Sequence, residues 1–495
     1  MGHQLESAAF PHSLRRVVIE PVTRVEGHGK VTLLLDEANR VHQARLHIVE
    51  FRGFEKFIQG RPYWELPVVV QRLCGICPVS HHLAAAKAVD RLVGVTQLTP
   101  TAEKLRRLLH RGQILQSHAL HFFHLASPDL LFGFDDAVSH RNLLGLVADR
   151  PDVAMQGVKL RKFGQQVIAA IAGKRIHGVA AVPGGMNKPL AAGDRDALLR
   201  DVGQVIAWAR GAVVLIKRLY RSQADDFNEF AAIRSKWLSL VRPDGALELY
   251  DGVLRARDGE GRILFDQLPA HRYADVIREQ VKPWTYMKFP FLTEFGKTEG
   301  WYRVGPLARL NNCESMGTPL AEAERREFVA FGGGRPVQSS LAYHWARMVE
   351  LLHVAEGIEA LLLDPDILGT DLRTSGERRQ QGIGVIEAPR GTLIHHYEVR
   401  EDGLVERANL IVATTHNNQA MNEAIRQVAR RYLDGMTLTE PLLNRIEVAI
   451  RAYDPCLSCA THALGKMPLR LELVDAAGQV IDRIVKSAIP PPVCG

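Results

Sequence analysis

Two short stretches lie near opposite ends of the chain, and any fold has to satisfy both. "RLCGIC" carries Cys74 and Cys77, and "DPCLSCATH" carries Cys456, Cys459 and His462. Each is a C-x-x-C pair followed three or four residues later by a histidine, His81 in the first case and His462 in the second. Paired C-x-x-C motifs are the usual signature of a metal held by thiolates. A zinc ribbon keeps its two pairs about 15–20 residues apart, whereas here most of a 495-residue chain separates them. A single C-x-x-C would also suit a redox disulfide. Two pairs closing over a large body point instead to a metal at the protein's centre. Thiolates are soft donors and favour nickel, iron, copper(I) or zinc over magnesium or calcium. Spacing alone leaves zinc open.

The rest of the composition narrows the field by exclusion. With 46% hydrophobic and 24% charged residues, the chain has the balance of a globular protein with ample core. The net charge of +7 is spread thinly, in pairs such as Arg15-Arg16, Arg325-Arg326 and Arg430-Arg431. No basic cluster speaks for a nucleic-acid partner. No stretch approaches the length of a transmembrane helix, and the start lacks a charged-then-apolar signal pattern, so the expected location is the cytoplasm. In that compartment six cysteines do not predict a disulfide framework.

The N-terminal stretch alternates apolar and polar residues. "KVTLLLD" and "VHQARLHIVEF" flank the turn-like "EANR" and predict an antiparallel hairpin, with "SLRRVVIEP" leading into a strand. From "LPVVVQRLCGIC" onward helical periodicity dominates. "TPTAEKLRRLLHRGQILQSHALHFFHLA" opens on Thr and Pro with Glu103 in its first turn, and predicts one long helix. "LAYHWARMVELLHVAEGIEALLLD" and "NNQAMNEAIRQVARRYL" predict two more. Asp-Gly turns mark two hairpins, "GVLRARDGEGRILF" and "YEVREDGLVERANLIV". The expected fold class is mainly α with small antiparallel β elements.

At this point the chain resembles a known family. "RLCGIC" and "DPCLSCATH" match the two signature motifs of [NiFe]-hydrogenase large subunits. "PVTRVEGHGKV" (21–31), "FRGFE" (51–55), "SHALHFFHLA" (117–126), "HGVAAVPGG" (177–185) and "EAPRGTLIHH" (387–396) look like further landmarks in the right order. The likeness extends up to His462, and its flavour is closest to the soluble, bidirectional, NAD-linked type. It implies a β-rich region over 1–65, a large helical-bundle catalytic core with hairpin insertions over 66–462, and a maturation extension over 463–495.

The resemblance also assigns roles. Hydrogen is apolar and an extremely weak acid, so heterolytic cleavage needs a Lewis-acidic metal and a nearby base. Cys74 and Cys456 look like terminal nickel ligands, and Cys77 and Cys459 like the pair bridging to iron. The implied centre is NiFe(CN)2(CO), two cyanides and one carbonyl sitting on the iron. Arg390 is similar to an arginine that leans over the metals, with Pro389 shaping the pocket, and Thr414 matches a hydroxyl that bonds a cyanide. Glu26 resembles the first proton acceptor, and His81 a donor to a bridging thiolate. Glu55, the carbonyl of Leu410 and His462 match ligands of a Mg2+ site, or a site for another divalent ion. Two positions depart from the pattern: Ser117 stands where many relatives have Asp, and His416 where many have an aromatic. Cys313 and Cys494 read as ordinary thiols.

Electrons must leave, and the sequence holds no carrier for them. Once four cysteines bind nickel, Cys313 and Cys494 cannot ligate an iron–sulfur cluster, which takes four. No strand followed by G-x-G-x-x-G supports a dinucleotide fold. The expected partners are an iron–sulfur small subunit and a diaphorase module carrying FMN and NAD. In this family nickel- and iron-insertion chaperones load the centre, and an endopeptidase then cuts after the final histidine. Here that is His462–Ala463, and "ALGKMPLRLELVDAAGQVIDRIVKSAIPPPVCG" is the tail removed, with two strand-like runs around "AAGQ". The rival within the family is a hydrogen sensor, or an enzyme serving another electron acceptor; sensors generally lack the tail. From other classes the rivals are the quinone-site subunit of respiratory complex I, which lacks the four cysteines, and a zinc-bound structural protein.

Overall fold

The N-terminal hairpin forms as its alternation requires. In the computed structural model, which describes residues 15–462, 469–474 and 480–486, strands β1 (Arg15–Ile19), β2 (Gly29–Leu35) and β3 (Val41–Ile48) make an antiparallel sheet in that order. Val31, Leu33, Leu46 and Ile48 point into the same apolar core as the helices.

Helices α1 (Pro78–Leu92), α2 (Pro100–Leu120), α3 (Pro151–Ala172), α4 (Ala192–Ser222), α5 (Ala342–Leu363), α6 (Asn418–Tyr432) and α7 (Glu440–Ala452) form the body. The start of α2 follows its local chemistry. The Thr99 hydroxyl oxygen accepts from the Ala102 amide at 3.3 Å, Pro100 takes the first helical position where no amide is needed, and Glu103 faces the positive helix end. The predicted helix does not run on unchanged: over His121–Ala126 it widens into a π-helical turn, a feature common near functional sites. Helix α5 is buried along nearly its whole length between α2 and α4, as expected for a helix apolar all round.

Strands β4 (Lys236–Val241), β5 (Val253–Arg257) and β6 (Ile263–Pro269) with the short β7 (Tyr302–Arg303) build a four-stranded sheet in the order β7-β4-β5-β6. Within it β5 and β6 are the hairpin predicted at Asp258-Gly259. A three-stranded meander, β8 (Gln381–Ala388), β9 (Gly391–Val399) and β10 (Val405–Ile411), carries "EAPRG" at its first turn and the second Asp-Gly hairpin at its second turn.

This meander lies directly against α1, and two glycines permit it. Gly382 and Gly384, two apart and so on one face of β8, leave no room for a side chain. A Cβ on either would sit 2.1 Å from a backbone oxygen of α1, that of Ala88 or Ala84. The helix bearing His81 therefore rests on the sheet bearing Arg390 and His395.

In the tail, the backbones of β11 (Leu469–Val474) and β12 (Val480–Lys486) pair antiparallel, from Leu469↔Lys486 inward, as the two strand-like runs predicted. Cys494 and the "AAGQ" turn lie outside the described residues. No described helix is long and apolar enough to cross a membrane.

Candidate metal centre

The two ends of the chain converge on one point. The Sγ atoms of Cys74, Cys77, Cys456 and Cys459 lie within 4.8 Å of one another, all buried. Cys74 Sγ and Cys456 Sγ are 3.1 Å apart. Among the described residues no other group of three or more His, Cys, Asp or Glu side chains is placed to hold a metal ion.

Without a cation the cage cannot carry four charges, because buried like charges oppose one another. Burial opposes ionisation of Cys74, yet hydrogen bonds from the Cys456, Cys459 and Cys77 thiols outweigh it and hold Cys74 well below a free thiol. Hydrogen bonds from Cys456 and Cys459 bring Cys77 down to about 6. Burial pushes Cys456 and Cys459 well up. Two thiols ionise readily and two resist. A bound metal ion removes that conflict, since it deprotonates a coordinating thiol outright.

The first pair is built locally. Cys74 is extended after a single 3-10 turn, Val70–Leu73. Its sulfur accepts from the amides of Ile76 and Cys77, both at 3.3 Å. Cys77 stands at the N-terminus of α1, with Pro78 in the first turn, where the helix dipole favours a thiolate. Gln113 and Gln116 on α2 both donate to the Ile76 carbonyl, at 2.9 and 2.8 Å.

The second pair follows α7 and hangs on distant residues. Asp454 turns the chain at φ 53. The Cys456 amide donates to the Thr414 hydroxyl at 2.9 Å, and the Leu457 amide to the Glu26 carbonyl at 2.9 Å. The Glu26 carboxylate accepts from the Ser458 amide at 3.2 Å and from the Ser458 hydroxyl. The Arg52 amide donates to the Thr461 hydroxyl at 3.0 Å.

A small cavity opens beside the cage. Cys77, Cys456, His81, Pro389, Arg390 and Thr414 line it with a few apolar neighbours. Arg390 donates to the Asp454 carbonyl at 2.5 Å, to Asp454 Oδ1 at 2.9 Å and to Ser117 Oγ at 3.3 Å. Burial opposes its charge, but Asp454 and the cage cysteines prevail and hold it firmly protonated. Burial in turn raises the Asp454 carboxyl to about 6 against the pull of Arg390. The Arg390 turn has its own buried support. Arg309 donates to the carbonyls of Ala388 at 3.1 Å and Pro389 at 3.3 Å, and pairs with Glu350 and Glu387.

Comparisons with known proteins give these residues a context. The family described as nickel-dependent hydrogenase matches residues 52–133 and 258–462, and one described as HoxL-like matches 16–51. This chain belongs to the nickel-dependent hydrogenase family. It is 48% identical to the NAD-reducing hydrogenase HoxS subunit beta of Cupriavidus necator, over 94% of this chain and 99% of that one. A crystal structure of an NAD+-reducing [NiFe]-hydrogenase in the H2-reduced state matches with TM-score 0.89 and 59% identity, over 90% of this chain and 99% of that one. The Ni-Fe-Se hydrogenase of D. vulgaris Hildenborough, at 23% identity and TM-score 0.72, shares the fold.

Within this nickel-dependent hydrogenase, the two departures noted in the sequence have structural answers. Asp454 supplies a carboxylate to the arginine that Ser117 meets only with a hydroxyl. His416 is buried and its Nδ1 lies 2.6 Å from the Tyr302 hydroxyl, so its ring serves as a polar strut. Burial pushes the Cys313 thiol up to about 12, which leaves it inert. Ser458, Gln113, Gln116 and Lys288 were not singled out from sequence, and Asp454 was read only as part of the C-terminal motif, with no role. Asp454 and Ser458 lie inside the quoted C-terminal motif, and that position was the one available signal.

Of the residues expected to hold a second cation, Glu55 and Leu410 are in contact, and Lys288 shares the carboxylate. Glu55 accepts from Lys288 Nζ at 2.9 and 3.1 Å and from the Leu410 amide at 2.8 Å. Lys288 also reaches Asn409 at 3.2 Å and Glu279 at 3.5 Å. In an extended strand one residue's N–H and C=O face the same edge, so the Leu410 carbonyl lies on the Glu55 side. Both ring nitrogens of His462 are buried, and among the described residues only the Cys459 backbone comes near enough to act on them as a hydrogen-bond partner. Burial, then Lys288, lowers that ring to about 3, so it is neutral and its lone pair is available to a cation.

Proposed function

We propose that this chain is the hydrogen-cleaving large subunit of an NAD-linked [NiFe]-hydrogenase, working in the cytoplasm. The observation that carries this reading is the buried four-thiol cage, built from both ends of a chain so similar to an NAD-reducing enzyme. Cys74 and Cys456 are the terminal ligands and Cys77 and Cys459 the bridging ones. A nickel–iron centre with two cyanides and one carbonyl supplies, when bound, the Lewis acidity that hydrogen cleavage needs. The residues of the chain do the rest. The Thr414 oxygen accepts from the Cys456 amide, so its own O–H is free to donate into the cavity. Arg390 offers charged donors there, and Pro389 narrows the space. Such oriented donors suit cyanide ligands. Glu26, pinned to the C-terminal cysteine loop by Ser458, receives the proton, the work of a positioned general base.

Electrons leave toward a partner. The turn between Cys74 and Cys77 reaches the surface at Gly75, with Arg72 exposed beside it. An iron–sulfur small subunit docking on this face brings a cluster close to the cage, and a diaphorase carrying FMN and NAD lies beyond it. The family match ends at residue 462, which supports removal of 463–495 by a maturation endopeptidase after metal insertion. Glu55, His462 and the Leu410 carbonyl hold Mg2+ or another divalent ion, with Lys288 sharing the carboxylate.

Metal analysis and infrared spectroscopy of the matured complex test the reading. Nickel and iron together, carbonyl and cyanide stretches, and hydrogen-driven NAD reduction are expected. Zinc alone in the cage sinks it. Intact mass tests processing: an active chain retaining Ala463 onward rules the cut out.

A further inference from the structure

We propose that Tyr397 and His395 are positioning residues that fix which nitrogen of His81 carries the proton facing the cysteine cage. The three side chains form one buried line. His81 Nδ1 lies 3.1 Å from His395 Nε2, and His395 Nδ1 lies 2.6 Å from the Tyr397 hydroxyl. None is more than 1% exposed. At the near end, His81 Nε2 is buried without a partner, on a residue that lines the cavity with Cys77 and Cys456.

Proton placement along this line follows from the far end. A neutral imidazole has one N–H and one lone pair. Burial keeps His395 far from protonation and Tyr397 far from ionisation. Among the described residues the Tyr397 hydroxyl has no other hydrogen-bond partner, so its proton goes to His395 Nδ1. His395 then carries its own proton on Nε2 and donates to His81 Nδ1. His81 is left with its proton on Nε2, the nitrogen that has no partner among the described residues. The reverse order leaves the Tyr397 O–H buried without an acceptor.

The fold supplies the geometry. His395 and Tyr397 are two apart on β9 and share a face. Helix α1 brings His81 to them because Gly382 and Gly384 let it lie on the sheet. Hydrogen bonds to thiolate sulfur are among the levers that set the electronics of a metal centre. A phenol three groups away from the cage therefore tunes it by holding two tautomers.

The proposal rests on the metal-centre reading, and one experiment separates the two. Infrared spectra and reductive titrations are recorded on the matured complex carrying Tyr397→Phe, His395→Leu or His395→Gln, alongside nickel and iron content. Weaker donation to the bridging sulfur leaves more electron density on iron. Tyr397→Phe and His395→Leu are therefore expected to shift the carbonyl stretch to lower wavenumber and lower the midpoint potential. His395→Gln keeps an amide N–H that can serve His81 Nδ1, so it is expected to stay close to wild type. Unchanged stretches in Tyr397→Phe and His395→Leu at wild-type metal content overturn the proposal. Where His395→Leu fails to load metal, Tyr397→Phe alone decides, since it removes a single oxygen. A wild-type complex with no carbonyl or cyanide stretch breaks the metal-centre reading instead.

Discussion

The two cysteine pairs look alike in sequence and are held in different ways. The first is part of a turn and a helix N-terminus, and its sulfur bonds to amides two and three residues away. The second sits on a loop after α7, and its bonds run to Glu26, Thr414 and Arg390, far away in sequence. One half of the cage is held mostly by local bonds, with Gln113 and Gln116 bonding to the carbonyl between its two cysteines. The other half closes only when remote residues are already in place. Under the proposed maturation, the segment over 454–462 is the part that closes last. Hydrogen exchange on the metal-free chain should then show 454–462 less protected than 74–82. Equal protection breaks the comparison.

The largest expected effect falls on Glu26, which holds the second pair and, in the proposed function, takes the proton. Glu26→Gln keeps the shape but removes the base. Activity in the loaded complex should fall by about 10²- to 10⁴-fold, the usual size of a general-base contribution. Nickel and iron content should stay near wild type. Parallel loss of metal would mean that Glu26 acts as a strut alone.

Next comes the ion pair that anchors the second pair to the Arg390 turn. Asp454→Ala leaves the buried Arg390 guanidinium without its carboxylate. Breaking one side of a buried pair typically costs about 3–5 kcal/mol, read by denaturant unfolding of the metal-free chain. A loss below 1 kcal/mol would show that the cage thiolates already compensate Arg390.

Acid tests the support beneath that turn. Arg309 and His118 overcome the burial penalty on Glu350 and hold its carboxyl at about 2, against an ordinary value of 4.5. A folded pKa below the unfolded one stabilises the chain above the unfolded value, and that stability drains as pH falls from about 4.5 toward 2. The shift corresponds to roughly 3 kcal/mol. Glu350→Gln should flatten this stretch of the stability–pH curve. A variant as acid-sensitive as wild type would place the effect elsewhere.

These supports explain what the sequence could and could not disclose. The start of α2 was readable because Thr99, Pro100 and Glu103 act within one turn. The hairpins were readable because alternation and an Asp-Gly turn are local. The cage was readable because C-x-x-C pairs have few other uses at such separation. Asp454 against Arg390, Ser458 against Glu26 and Tyr397 behind His81 were not. Each depends on residues that only the finished fold brings together, and none carries a spacing rule. Lys288 shows the same limit, since a lone lysine gives no hint that it faces Glu55 and Glu279 from within.

The smallest expected effect compares one hydrogen bond in each half. Thr414→Val removes the hydroxyl that accepts from the Cys456 amide, leaving a buried N–H unpaired, which costs about 1–3 kcal/mol. Gln113→Leu removes one of two donors to the Ile76 carbonyl, and Gln116 still satisfies it at 2.8 Å. That loss should stay near the net worth of a single hydrogen bond, about 1 kcal/mol or less. Unfolding of the two metal-free variants under the same conditions gives the order directly. If Gln113→Leu is the more damaging, the N-terminal pair depends on remote support more than the C-terminal pair does, and the account of a mostly locally held half meeting a closing half fails.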